Sequence, residues 1–222
     1  MWKALLLKEW RDTSLTLAVA AVALGLWVAE MTGWGFFTPS HSFDVQSPAP
    51  LRTANQWFVL ILSAAAIGLA MQQTLPESHR QTWLFLLHRP LDRRVFPLAK
   101  WGAGMAVWST LALVPFLLYL IWAAAEGLHA SPFVWRYTYG WWQTIAGISL
   151  LYSGAFLSGL RPAKWLGTRL FPLSAAAVWM ILCWGVTEHG GVGCLAFLAG
   201  TIALQVMSLK LVLEVAEERD YP

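Results

Sequence analysis

Trp101-Gly-Ala-Gly-Met-Ala-Val-Trp-Ser-Thr-Leu-Ala-Leu-Val-Pro-Phe-Leu-Leu-Tyr-Leu-Ile-Trp-Ala-Ala-Ala125 runs for 25 residues without an Asp, Glu, Lys or Arg. As a helix rising 1.5 Å per residue it reaches about 37 Å, more than the roughly 30 Å of a bilayer's hydrocarbon core. Five other stretches share this character: Thr13–Ala29, Thr53–Pro76, Tyr137–Leu160, Leu170–Thr187 and His189–Leu209. Together they predict an all-α integral membrane protein with six transmembrane helices. The spans fall at roughly 13–32, 55–75, 101–125, 138–160, 170–187 and 190–209. Leu170–Thr187 is among the shorter stretches and leaves a tilted or re-entrant segment open. Strand-like alternation is missing, which argues against a transmembrane barrel.

Composition agrees with the spans. Hydrophobic residues make up 58 % of the 222 positions and charged residues 12 %, and the mean hydropathy is +0.55. A soluble domain carries about 25 % charge and roughly 45–50 % apolar residues. An intrinsically disordered chain and an ordinary soluble enzyme are both excluded. Fifteen Trp suit a chain that meets membrane interfaces many times. Two Cys cannot build a disulfide scaffold. The whole chain, 1–222, reads as one transmembrane domain, and its basic residues point to membrane lipid rather than to nucleic acid.

Orientation follows from Lys and Arg, which gather on the cytoplasmic side. Lys3, Lys8 and Arg11 precede the first span. Arg80, Arg89, Arg93, Arg94 and Lys100 follow the second, Arg161, Lys164 and Arg169 the fourth, and Lys210 and Arg219 the sixth. Thirteen cations therefore share one side, against Arg52 and Arg136 on the other. Both termini are expected inside, in the plasma membrane (the inner membrane of a bacterium). The start is a poor signal peptide, because Glu9 and Asp12 lie in its basic region. Met1–Asp12 reads instead as an interfacial helix, with Trp2, Leu5, Leu6 and Trp10 on one face and Lys8, Arg11 and Asp12 opposite. The alternative is a short tail without defined structure.

Catalytic chemistry finds little support. A G-x-x-x-x-G-K-[ST] phosphate loop is missing. Glu126 with His129, and Glu188 with His189, are isolated pairs at span ends, poor material for a metal site. No catalytic residue, cofactor-binding residue or metal ligand is assigned. Ionisable residues do not fall centrally in any span, which disfavours an ion-coupled carrier. Trp135, Tyr137, Tyr139, Trp141 and Trp142 form an aromatic belt where the fourth span enters. Small residues at packing spacing, Gly147, Gly154 and Ser158 in the fourth span and Ala64 and Gly68 in the second, predict close helix contacts. Pro115 is expected to kink the third.

The stretch between the second and third spans is more distinctive. It reads Glu77-Ser-His-Arg-Gln-Thr-Trp-Leu-Phe-Leu-Leu-His-Arg-Pro-Leu-Asp-Arg-Arg-Val-Phe-Pro-Leu-Ala-Lys100. An apolar run from Thr82 to Leu87 ends at Pro90, inside a basic frame. A short helix at the cytoplasmic surface fits this composition, and so does a basic loop attracted to anionic lipid. The stretch resembles the cytoplasmic loop of ABC-2 type transporter permeases. The matching positions are Glu77, Arg80, Thr82, Phe85-Leu86-Leu87, Pro90, Arg93 and Lys100, with Gln81 where that family usually has Gly. Lys8-Glu9-Trp10-Arg11 is likewise similar to the amphipathic N-terminal helix of such permeases.

The resemblance implies the membrane subunit of an ATP-binding cassette exporter. Such a subunit binds no cofactor itself and pairs with a separate ATPase that holds ATP and Mg. It works as a homodimer or a heterodimer with a second permease. Glu77, Arg80, Thr82, Phe85, Leu86, Leu87, Pro90, Arg93 and Arg94 would form the ATPase-coupling loop, and Trp2, Leu6, Trp10 and Arg11 the interfacial helix. A non-transporting membrane anchor or assembly factor is the alternative, and an integral lipid-modifying enzyme a third reading.

Overall fold

A computed structural model of the chain describes residues 2–32, 55–79, 95–125, 133–161, 165–186 and 190–217. These fold into six α-helices: α1 (Trp2–Met31), α2 (Asn55–His79), α3 (Val95–Ala124), α4 (Tyr139–Leu160), α5 (Leu166–Val186) and α6 (Gly190–Glu217). A 3-10 turn, Trp135–Thr138, leads into α4. The described residues contain no strand. Helices suit an apolar solvent because they satisfy their backbone groups internally.

Four of the six, α1, α2, α3 and α6, are long and apolar enough to cross a membrane. α5 falls short, with an apolar part of 17 residues, Leu166–Leu182. α4 has 22 residues but interrupts its apolar ones with Gln143, Thr144, Ser149, Ser153, Ser158 and several Gly. Burial is the physical reason. Every residue from Leu150 to Leu160 is buried, so α4 need not offer a uniformly apolar face to lipid. It packs against α2, α3, α5 and α6 at the centre of the bundle.

Helix boundaries differ from expectation at two points. The N-terminal segment is no separate interfacial helix or unstructured tail. It continues unbroken into α1 from Trp2 to Met31. No Gly or Pro occurs before Gly25 to break it, and Ser14 Oγ folds back onto the Arg11 carbonyl at 2.8 Å instead of interrupting the turn. Arg11 is exposed and lies 4.0 Å from Asp12. The side chains of Trp2, Leu6 and Trp10 lie outside the described part. Secondly, α3 starts at Val95, six residues before the expected span, with Pro97 in its first turn, where a missing N–H is tolerated. This puts Lys100 inside the helix.

Contacts across the bundle show that successive helices alternate in direction. Late α1 meets early α2, late α3 and early α4 in one aromatic cluster. Trp27 lies 4.9 Å from Phe58 and 5.3 Å from Tyr119, and Trp141 lies 5.1 Å from Phe58 and 5.6 Å from Phe116. Trp141 is fully buried, so it belongs to the core and not to the belt. Trp135, Tyr137, Tyr139 and Trp142 remain exposed, as a belt requires. At the opposite end, Thr16 of α1 donates to Gln72 Oε1 of α2 at 2.5 Å. There too Arg169 Nε of α5 donates to the Ser158 carbonyl near the end of α4 at 3.3 Å.

Small residues perform the expected packing only in part. A Cβ on Gly154 would strike the Pro172 carbonyl and Ala176 of α5, and Ser158 Oγ accepts the Leu173 N–H at 3.2 Å. Gly68 faces Thr16 of α1. Ala64, however, is exposed. Pro115 lies within α3. Outside, the bundle is apolar: Leu15 is 73 % exposed, Ile121 68 % and Ile202 65 %. A surface this apolar belongs in lipid.

Trp141→Ala should lower the thermal midpoint in detergent by the equivalent of about 3–5 kcal/mol, because it empties the aromatic core. Trp135→Ala, on the exposed belt, should leave the midpoint almost unchanged.

Candidate functional site

The end of the bundle opposite the aromatic cluster is hydrogen-bonded rather than greasy. It lies where α2 finishes and α3 begins, directly at the foot of the 80–94 connection. Lys100 is 2 % exposed. Its Nζ donates to the Gln73 carbonyl of α2 at 2.6 Å and sits 5.8 Å from the centre of the Phe96 ring, within cation–π range. A lysine in such a place is costly to bury unless its donors are met.

The Gln73 side chain extends the network. Its Oε1 accepts from the Tyr152 hydroxyl of α4 at 2.7 Å, and that hydroxyl also lies 3.3 Å from the Trp101 carbonyl of α3. The next residue, Ser153, accepts twice at Oγ: from Trp101 Nε1 at 3.1 Å and from Gln205 Nε2 of α6 at 2.8 Å. Four helices thus meet through six side chains, Lys100, Trp101, Gln73, Tyr152, Ser153 and Gln205. Gln205 Oε1 is buried and has no hydrogen-bond partner among the described residues.

Two glycines make this meeting possible. A Cβ on Gly104 would collide with the Tyr152 hydroxyl and the Gln73 amide. A Cβ on Gly159 of α4 would collide with the side chain of Thr74, whose hydroxyl is already turned to the Ala70 carbonyl at 2.8 Å. The polar contacts and the close approach of α2 to α4 therefore depend on one another.

The expected coupling-loop residues Arg80, Thr82, Phe85, Leu86, Leu87, Pro90, Arg93 and Arg94 lie outside the described residues. Glu77 falls in the last turn of α2. Reading the sequence alone missed the cluster. It treated Lys100 as the end of a loop, and it passed over Gln73, Tyr152, Ser153 and Gln205 because none is charged. Gln73 and Gln205 gave a usable signal, as amides inside otherwise apolar spans.

Groups of His, Cys, Asp and Glu able to hold a metal do not occur among the described residues. Both Glu–His pairs fall outside them. Cys194 is a free, buried thiol, as a small apolar residue would be. The arrangement offers hydrogen bonds and mechanical connection between helices.

Gly104→Ala should destabilise the protein by about 1–3 kcal/mol through overpacking. Tyr152→Phe, which removes the hydroxyl in its way, should recover part of that loss. A double-mutant cycle of detergent melts should then show coupling of at least about 0.5 kcal/mol. Set against known proteins, the chain matches no family model, no curated protein and no solved structure.

Proposed function

We propose that this chain is the membrane-spanning permease subunit of an ATP-binding cassette exporter. In this reading all six helices span the plasma membrane, with both termini on the cytoplasmic side. A separate ATPase subunit, which holds ATP and Mg, docks on the 77–94 loop. The membrane part is completed by a second permease, identical or different.

The observation that carries the reading is the fastening of that loop at both ends. Its first end is the end of α2, where Gln73 is held. Its second end is the start of α3, where Lys100 is held by the Gln73 carbonyl. Tyr152 and Ser153 pass the connection to the central helix, and Gln205 passes it to α6. A displacement that reaches the end of α2 or the start of α3 would therefore enter the middle of the bundle. Alternating access needs such a transmission between the ATPase and the helices.

Docking energy would come mainly from the apolar run. Phe85, Leu86 and Leu87 suit a hydrophobic groove on the partner, as an amphipathic helix does. Arg80, Arg93 and Arg94 would set register and speed encounter, since an exposed ion pair is worth under about 1 kcal/mol.

The double variant Phe85→Ala/Leu86→Ala should reach the membrane normally yet lose roughly tenfold or more of the ATPase subunit that co-purifies from native membranes. Undiminished ATPase would sink the docking site. Its complete absence from wild-type preparations would favour the anchor reading. Lys100→Met should retain the ATPase but lose substrate-dependent stimulation of ATP hydrolysis.

A further inference from the structure

A cavity of about 260 Å³ lies between α4, α5 and α6. Leu150, Leu157, Phe171, Leu204, Met207 and Leu211 supply most of its wall. Ser208 is nearly buried, and its hydroxyl is engaged with the Gln205 carbonyl at 2.8 Å. The wall is mostly apolar, so it offers few hydrogen-bond partners to water. Phe171, Met207 and Leu211 are exposed at its edge, so the slot opens on the same apolar surface as the rest of the bundle.

Arg161 is the charged residue among those lining the cavity. It stands immediately after the last turn of α4, in extended backbone, with its N–H closing onto the Leu157 carbonyl. One guanidinium nitrogen donates to the Thr168 carbonyl at 3.2 Å. Arg161 is exposed, and among the described residues it makes no ion pair. Lys210 and Glu214 of α6 are exposed nearby and four residues apart, a spacing at which they offset each other. Within the lining itself the charge is that of Arg161.

We infer that this slot binds an anionic phospholipid from the surrounding leaflet. One acyl chain lies along the α4–α5–α6 wall, and the headgroup phosphate meets the Arg161 guanidinium. Arginine suits a phosphate through paired N–H donors. An acyl chain restores the dispersion contacts that an empty slot forfeits. Charge argues against a second copy as occupant. Two copies in one orientation meeting at this slot would bring Arg161 and Arg169 close to the same cations of their neighbour.

This inference stands apart from the exporter reading and is tested without an ATPase. The full chain is purified in mild detergent and given phosphatidylglycerol or phosphatidylcholine of equal chain length, and bound lipid is read by native mass spectrometry. Wild type should retain phosphatidylglycerol with roughly tenfold preference. Arg161→Gln should lose the preference and Arg161→Lys keep part of it. Leu204→Trp, which fills the slot, should release both lipids. Equal retention of the two lipids by wild type would overturn the proposal, as would a preference that survives in Arg161→Gln. A dimer that persists at the slot and excludes lipid would also overturn it. A Leu204→Trp protein too unstable to purify leaves the Arg161 pair to decide the outcome.

Discussion

Thr74 of α2 meets α4 at Gly159 with no room for a Cβ between them, and the rest of the bundle depends on closeness of this kind. In lipid no hydrophobic force drives one apolar helix onto another, because tails solvate Leu as well as a neighbour does. What remains is dispersion at short range and the hydrogen bonds that short range permits. α4 collects both. Gly154 and Ser158 bring α5 in, Gly159 brings α2 in, and Tyr152 and Ser153 use the proximity to bind α2, α3 and α6. Without the small residues the polar side chains would lack reach. Without the polar side chains the small residues would gain only weak contacts.

The two ends of the bundle consequently solve different problems. Around Trp141, large rings fill the interior with tilted and stacked contacts and little directional bonding. Around Gln73, the interior is a set of directional hydrogen bonds. Arg161 and Arg169 belong to the second end. They bridge the close of α4 to the opening of α5 through the Thr168 and Ser158 carbonyls. Cations placed at the carbonyl end of a helix are favourable there.

Charge-free length was the most legible property of the sequence. It located all six helices of the described residues, and helix starts and ends moved where the local chemistry was tolerant. Pro97 sits harmlessly in a first turn, and Asp12 sits within a helix that nothing interrupts. Apolarity read residue by residue could not separate a helix facing lipid from one facing other helices. α4 looked like its neighbours until its Gln, Thr, Ser and Gly were seen to face protein. The polar cluster escaped for a related reason. A search for ionised groups finds Lys100 only at the margin of a span, and a hydrogen-bonded Gln–Tyr–Ser set carries no net charge to find. The small-residue spacing of Gly154 and Ser158, by contrast, identified a real contact because sterics at that spacing leave few alternatives.

The aromatic knot has a further consequence. Trp27, Phe58, Phe116, Tyr119 and Trp141 pin four helices together at one end through wide, interlocked rings. Rings packed this way resist sliding but permit slight rocking. Helices of 22 to 30 residues are long arms on such a fulcrum. At 1.5 Å per residue, Gln73 lies about 22 Å along α2 from Phe58, so a rotation of about 6° at the rings would move it by roughly 2 Å. Lever length of this kind would make the hydrogen bonds at Gln73 and Lys100 the part of the bundle most sensitive to helix tilt.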